Sequence, residues 1–109
     1  MKRQKIVYVC SPLRGDLKGN IAKANYYCRV VYERGYIPIA PHTIFTQFLD
    51  DENQEERKSG MEMGLKLVER CDELWAFGPT ISDGMKREIE HARRKGIPIR
   101  YLSEGLEEE

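Results

Sequence analysis

The sequence predicts an α/β fold, a small flavodoxin-like or Rossmann-like parallel sheet with helices packed against it. Two observations carry this prediction. Four short apolar runs alternate with three helical patterns, and such alternation builds a parallel sheet from right-handed strand–helix–strand units. The 109 residues contain no internal repeat and no linker, so we expect one α/β domain over residues 1–103 and an acidic tail over 104–109. The expected spatial order of the strands is 2-1-3-4.

The strands are predicted from apolar runs rich in β-branched and aromatic residues. These runs lie at about Lys5–Cys10, Tyr36–Ala40, Glu73–Phe77 and Ile97–Tyr101. Pro38 removes one hydrogen-bond donor from the ladder, which favours an edge position for the second strand.

Three helical patterns separate the strands. The first is expected to begin at Asn20 and to end at Gly35, which acts as a C-cap. The second follows the charged segment Asp50–Ser59 and carries apolar residues at helical spacing, Met61, Leu65, Val68 and Cys71. The third lies within residues 81–96.

Composition argues against several classes of protein. Eighteen basic and eighteen acidic residues give a net charge of zero, whereas nucleic-acid-binding proteins usually carry a basic surplus. No apolar run approaches the roughly 18 residues of a membrane span. The three cysteines, Cys10, Cys28 and Cys71, are odd in number and widely spaced, which favours reduced thiols in a cytoplasmic protein. We therefore expect no nucleic-acid partner, no membrane partner and no metal.

Two loops are predicted at the ligand-binding edge of the sheet, beyond the carboxyl ends of the first and third strands, where the strand order reverses. The loop SPLRGD, Ser11–Asp16, offers a hydroxyl, an arginine suited to phosphate or carboxylate oxygens, and an approachable amide at Gly15. An ordinary turn in which Arg14 pairs with Asp16 fits the same spacing.

The second loop, GPTISDG, leads into the third helix. With Ser82 or Asp83 as the N-cap, the backbone amides around Gly84 remain free of helix partners. A helix N-terminus of this kind favours a bound anion.

Two glutamates of the third helix are predicted to differ. At about 100° per residue, three residues form its buried stripe, Met85, Ile89 and Ala92. Glu88 falls roughly 70° from the centre of this stripe, at its border, and Glu90 falls roughly 130° away, in water. Glu88 also lies one turn after Gly84, which leaves open space above it. Its carboxylate is expected to border the ligand crevice, where it acts either as a reacting group or as a salt-bridge partner.

Other polar residues carry weaker signals. His42 follows the second strand at the carboxyl edge of the sheet, where it either reaches the site or caps a loop. His91 is expected on the outer side of the third helix in a structural role. The acidic run DDENQEE lacks interleaved metal-ligand spacing and more simply starts the second helix.

Three stretches of the sequence resemble a known family. The opening YVCSPLRGD resembles a strand and phosphate loop of the form Y-x-C-G-S-I-R-G-G, and four residues match it, Tyr8, Cys10, Arg14 and Gly15. His42 ends the stretch GYIPIAPH in the position of a family histidine. ISDGMKREIEHA is similar to P-S-L-G-V-G-Y-E-L-G-R-A and aligns four residues without a gap, Ser82, Gly84, Glu88 and Ala92. The chain thus resembles the nucleoside 2-deoxyribosyltransferase superfamily, in particular its 2'-deoxynucleoside 5'-monophosphate N-glycosidase branch.

The resemblance implies a catalytic site. The family's glutamate nucleophile matches Glu88, the tyrosine that orients this carboxylate matches Tyr8, and a serine that helps to bind the 5'-phosphate matches Ser82. The resemblance also implies a homodimer with a shared site and no metal or organic cofactor.

The sequence departs from the family pattern at two functional positions. The phosphate-loop serine falls on Pro12, which leaves Ser11 or the backbone for that role. The aspartate that protonates the departing base falls on Gly64, so Glu62 or His42 is the alternative acid.

Three functions are consistent with this sequence. The first is cleavage of a nucleoside or nucleotide N-glycosidic bond, or deoxyribosyl transfer, through Glu88. The second is a non-catalytic module that binds a nucleotide and reports it to a partner, since Arg14 and Ser82 serve both functions. The third, an interaction protein, needs none of these residues. Glu88 discriminates between the first two because a phosphate pocket gains nothing from a nearby carboxylate.

Overall fold

The computed structural model describes residues 4–103, and the predicted tail over 104–109 lies outside them. A four-stranded parallel sheet in the order 2-1-3-4 confirms the predicted architecture. The strands are β1 (Ile6–Cys10), β2 (Ile37–Ile39), β3 (Glu73–Phe77) and β4 (Ile99–Leu102). The helices are α1 (Leu17–Glu33), α2 (Pro41–Phe45), α3 (Gln54–Arg70) and α4 (Asp83–Arg94). β2 lies at an edge of the sheet, as Pro38 predicts.

Helix α1 begins at Leu17 rather than at Asn20, so its predicted start is wrong. Both Asp16 and Asn20 are residue types that cap helices. The Asp16 carboxylate accepts a hydrogen bond from the Gly19 amide at 3.1 Å and so caps the helix three residues earlier. Asn20 lies inside the first turn, where its side-chain amide donates to the carbonyl oxygen of Leu13 at 3.0 Å.

The short helix α2 was not expected from the sequence. Pro41 occupies its first turn, where the missing amide hydrogen has no cost. At the other end of the chain, β4 begins at Ile99 rather than at Ile97. The Ile97 amide still donates to the carbonyl oxygen of Ala92 at 2.9 Å, so this residue belongs to the turn that ends α4.

The two faces of the sheet hold separate cores because side chains alternate along each strand. One core packs α1 against the sheet and includes Val7, Val9, Tyr27, Val31, Trp75 and Phe77. The rings of Tyr27 and Phe77 stack there, with centroids 4.4 Å apart. The other core packs α3 and α4 against the sheet and includes Tyr8, Cys10, Val68, Leu74, Met85 and Ile89. Tyr8 and Cys10 therefore face α3 and α4.

Helices α3 and α4 pack side by side, and a polar contact joins them. His91 Nε2 lies 2.7 Å from Glu69 Oε2, and the imidazole is largely buried. The prediction that His91 lies on the outer side of its helix is therefore wrong, because the side chain turns towards α3. The charged segment before α3 starts that helix as predicted, with the Asn53 side chain accepting from the amides of Glu55 and Glu56.

Candidate functional site

A cavity of about 400 Å³ opens at the carboxyl end of the sheet. The loop after β1, the α2–α3 segment, the inner side of α3 and the first turns of α4 form its walls. Seven residues predicted for the site line it, Tyr8, Ser11, Arg14, His42, Ser82, Gly84 and Glu88. The fold therefore brings together residues that are up to 80 positions apart in the sequence.

Glu88 is the half-buried carboxylate of this cavity, and both of its oxygens accept hydrogen bonds. The Tyr8 hydroxyl donates to Glu88 Oε2, and the Cys10 thiol donates to Glu88 Oε1 at 3.3 Å. Tyr8 and Cys10 lie two residues apart on β1, so their side chains leave the strand on the same face. The strand thus holds the carboxylate in one orientation through two neutral donors.

Burial raises the pKa of Glu88 to about 7, although the hydrogen bonds from Tyr8 and Cys10 and the charge of Arg87 oppose the increase. Burial and the nearby Glu88 charge also raise the pKa of Tyr8 well above its usual value, so its hydroxyl stays protonated and donates. A carboxylate that changes charge near neutral pH, within a cleft, is typical of catalytic acids, bases and nucleophiles.

The N-terminus of α4 forms a second wall of the cavity. Ser82 caps the helix, and its hydroxyl oxygen accepts from the Met85 amide at 3.3 Å. A side chain added at Gly84 would meet no atom within 4 Å, so the helix end is open to a ligand there. The first amides of a helix lack intrahelical partners and favour an anion at this position.

Arg14 lies at the rim, with its Nε 3.6 Å from Asp51 Oδ2 in the segment before α3. It does not form the predicted alternative pair with Asp16, whose carboxylate caps α1 instead. The guanidinium is anchored to the opposite wall and lines the cavity.

His42 and Ser11 meet at the edge of the cavity, with His42 Nε2 3.3 Å from Ser11 Oγ. Burial lowers the pKa of His42 to about 4, so its imidazole is neutral at neutral pH. A neutral imidazole can orient a polar group through a hydrogen bond, but it is too weak an acid to act as a general acid.

Three predicted site residues lie outside the cavity lining. Gly15 has φ +101°, a backbone conformation that favours glycine, so its role in the loop is conformational. Asp16 caps α1. Glu62 is exposed on α3 and does not line the cavity, because the residues that face the cavity from its part of the helix are Gly60, Met61, Gly64 and Leu65.

Gly64 lies directly against the hydrogen-bonded pair Tyr8 and Glu88. A Cβ atom added at this position would lie 3.2 Å from the Tyr8 hydroxyl oxygen and 3.6 Å from Glu88 Oε2. This α3 position beside the Glu88 carboxylate therefore contributes no functional group.

Among residues 4–103, no group of three or more histidine, cysteine or acidic side chains is placed to hold a metal ion. No helix in this range is long and apolar enough to cross a membrane.

Comparison with known proteins gives a family and a fold. A protein-family model described as a domain of unknown function (DUF7768) matches residues 5–102. The chain belongs to this family. No curated protein matches it.

One similar solved structure is a 2-deoxyribosyltransferase from the psychrotolerant bacterium Bacillus psychrosaccharolyticus, described as a biocatalyst for nucleoside synthesis. The two chains are 19% identical, with a TM-score of 0.68 over 90% of this chain and 72% of the other. At this level of identity the two proteins share a fold, which agrees with the architecture predicted from the sequence.

Sequence reasoning missed two parts of the site in this DUF7768 domain. The first is Cys10, although its spacing of two from Tyr8 on a strand indicates that both side chains share a face. The second is the wall formed by the segment before α3 and by its first turn, where Asp51, Glu56 and Arg57 line the cavity. The acidic run was interpreted only as a helix start, and no local signal shows that it folds over the end of the sheet.

Proposed function

We propose that this chain cleaves the N-glycosidic bond of a nucleotide or nucleoside, with the Glu88 carboxylate as the nucleophile. One observation carries the proposal: Glu88 faces a cavity with a pKa of about 7 and accepts hydrogen bonds from two neutral donors, Tyr8 and Cys10. A structural carboxylate gains nothing from such an arrangement, whereas a nucleophile is kept near its reactive form at neutral pH.

The proposed reaction has two steps. As the bond between sugar C1' and the base nitrogen breaks, its electron pair leaves with the base and positive charge develops at C1'. A Glu88 oxygen forms a bond to C1' and gives a glycosyl ester, while the Tyr8 hydroxyl orients the carboxylate. Water then adds to C1', loses a proton and releases Glu88. A second nucleobase in place of water would give transfer instead of hydrolysis.

We place the 5'-phosphate of the proposed substrate at the N-terminus of α4. The free amides near Gly84, the Ser82 hydroxyl and the Arg14 guanidinium at the rim all favour an anion. The shared fold with a 2-deoxyribosyltransferase supports a sugar–base substrate. On this basis we propose a nucleotide rather than a nucleoside as the preferred substrate. We also propose a homodimer, as the family resemblance implies.

A non-catalytic nucleotide-binding module is the second candidate function. Gly64 favours it, because the α3 position that faces Glu88 and Tyr8 carries no acid that could protonate a departing base. Such a module would bind a nucleotide through Arg14 and Ser82 and would release no product.

Release of free base from the common 2'-deoxynucleoside 5'-monophosphates, measured by chromatography, tests the proposal. We expect Glu88-dependent release, with Glu88→Gln slower by on the order of 10³-fold or more, because the nucleophile is lost. Glu90→Gln is the matched control, since Glu90 is exposed on the same helix and pairs with the exposed Arg93 at 3.2 Å. If the wild type binds a nucleotide by calorimetry but releases no base from nucleotides with a neutral or a positively charged base, the binding module replaces the enzyme.

A further inference from the structure

Among residues 4–103, the side chains that line the cavity include none placed to protonate a departing base beside Glu88, and this property points to a substrate class. The inference rests on the proposed function. It follows from the partners of every histidine and carboxylate that lines the cavity apart from Glu88.

Three carboxylates line the cavity away from Glu88. Asp51 pairs with Arg14 Nε at 3.6 Å, and Glu56 accepts the Asp50 amide at 2.9 Å. Both are held at the outer wall. Glu56 precedes Gly64 by eight positions, so it lies about 12 Å nearer the N-terminus of α3. Asp83 is 94% exposed at the start of α4.

The remaining groups do not supply a proton either. His42 is neutral at neutral pH because its pKa is lowered to about 4. The Tyr8 hydroxyl donates to Glu88 itself, and its pKa is raised well above the usual value. The α3 position that faces both groups is Gly64, which has no side chain.

An N-glycoside with a neutral base is a poor substrate for such a site. When its C1'–N bond breaks, the base departs as an anion unless an acid protonates it, and a positioned acid contributes about 10²–10⁴-fold to the rate. A base that already carries a positive charge at the glycosidic ring departs as a neutral molecule. Its C1'–N electron pair neutralises the ring, and no proton is needed at that step.

We propose that the substrate of this site is a nucleotide with a cationic base, such as a ring-alkylated purine or a pyridinium. Glu88 forms the bond to C1', the neutral heterocycle departs, and water then hydrolyses the glycosyl ester with loss of one proton. The Glu88 carboxylate offers a negative charge to such a base, because the hydroxyl and thiol that donate to it are neutral, although the charge of Arg87 acts on it as well.

Two nucleotides that differ by one methyl group test this inference. We would compare 7-methyl-2'-deoxyguanosine 5'-monophosphate with 2'-deoxyguanosine 5'-monophosphate, subtracting the spontaneous release measured with Glu88→Gln. The expected result is a kcat/KM at least about 10²-fold higher for the methylated nucleotide. Nicotinamide mononucleotide forms a second arm, in which Glu88-dependent release of nicotinamide assigns the pyridinium class to the same site.

The outcomes separate the two proposals. Equal Glu88-dependent cleavage of the two guanine nucleotides overturns the cationic-base inference and leaves the N-glycosidase intact. If Glu88→Gln releases base from all three nucleotides as fast as the wild type, both proposals are wrong.

Variants at Gly64 sharpen the same comparison. Gly64→Asp places a carboxyl group beside Tyr8 and Glu88, so we expect it to raise cleavage of the neutral guanine nucleotide relative to the methylated one. Gly64→Ala adds a Cβ at the same 3.2 Å contact but no acid, and it should leave the ratio unchanged. An equal change in the ratio for both variants would show that space, not acid, sets the preference and would contradict the inference.

Discussion

Two carboxylates, the buried Glu73 and the half-buried Glu88, lie on opposite faces and at opposite ends of this sheet, and their surroundings differ in one respect. Glu73 begins β3 at the amino end, where it accepts the Trp75 indole N–H at 2.9 Å and contacts two cations, Lys5 at 3.3 Å and Arg100 at 3.2 Å. Glu88 lies at the carboxyl end, where it accepts from the Tyr8 hydroxyl and the Cys10 thiol. Two cations pair with the Glu73 carboxylate, whereas two neutral hydrogen-bond donors orient the Glu88 carboxylate.

This difference separates a structural carboxylate from the carboxylate that we propose as the nucleophile. Two cations offset the cost of removing the Glu73 charge from water, so the group contributes to the fold. Neutral donors offset less of that cost, and the pKa of Glu88 accordingly rises to about 7. The fold therefore loses stability at Glu88 whenever this group is ionised, which is a cost expected of a functional site.

The largest expected effect on stability comes from removing the Glu88 charge. Below about pH 4.5 the group is protonated in both the folded and unfolded states and carries no penalty. As the pH rises to about 7, the unfolded state ionises first, so the free energy of unfolding of the wild type falls. We expect Glu88→Gln to be more stable than the wild type by up to about 3 kcal/mol at pH 8.5, with little difference at pH 4.

Urea denaturation of both proteins from pH 4 to 8.5 measures this difference. Glu90→Gln is the control and should follow the wild type at every pH, because Glu90 is exposed. A constant difference between Glu88→Gln and the wild type across the range would contradict a raised Glu88 pKa.

The opposite sign is expected at Glu73. Glu73→Leu leaves the Trp75 indole N–H, which is 1% exposed, without its acceptor and should lower the free energy of unfolding by about 2 kcal/mol. Glu73→Gln keeps an oxygen for the indole and should lose less, which makes it the matched control. A Glu73→Leu variant as stable as the wild type would remove the distinction between the two carboxylates.

Local patterns in the sequence account for most of the fold. The alternation of strands and helices predicts the strand order, and the apolar run Glu73–Phe77 gives the bounds of β3 without error. The start of α1 was not predictable because Asp16 and Asn20 are both capping residues, and only the path of the loop decides between them. The short helix α2 contains a single turn, which leaves no periodic pattern to detect.

The site was predictable only in part, for a related reason. Helical periodicity predicted that Glu88 borders the crevice. The family resemblance predicted that Tyr8 orients the Glu88 carboxylate. The hydrogen bond from Cys10 to Glu88 spans 78 positions, and the wall near Asp51 depends on how the α2–α3 segment folds. Long-range contacts of this kind are set by packing, which no local pattern encodes.

The smallest expected effect, and the most direct test of the two neutral donors, is a shift in the titration of Glu88. The hydrogen bonds from Tyr8 and Cys10 lower the pKa of this carboxyl, against the increase caused by burial. Tyr8→Phe should therefore raise the pKa of Glu88 by about one unit, and Cys10→Ala by less, because a thiol is the weaker donor. The rising limb of kcat/KM, which needs ionised Glu88, should move to higher pH by the same amounts. Carbon-13 NMR of the carboxyl measures the shift even where a variant is too slow to assay.

Tyr36→Phe and Cys28→Ala remove the same groups on the opposite face of the sheet and should leave the Glu88 titration unchanged. A downward shift in Tyr8→Phe would mean that the hydroxyl stabilises the protonated carboxyl, and Tyr8 would then oppose the nucleophile instead of preparing it.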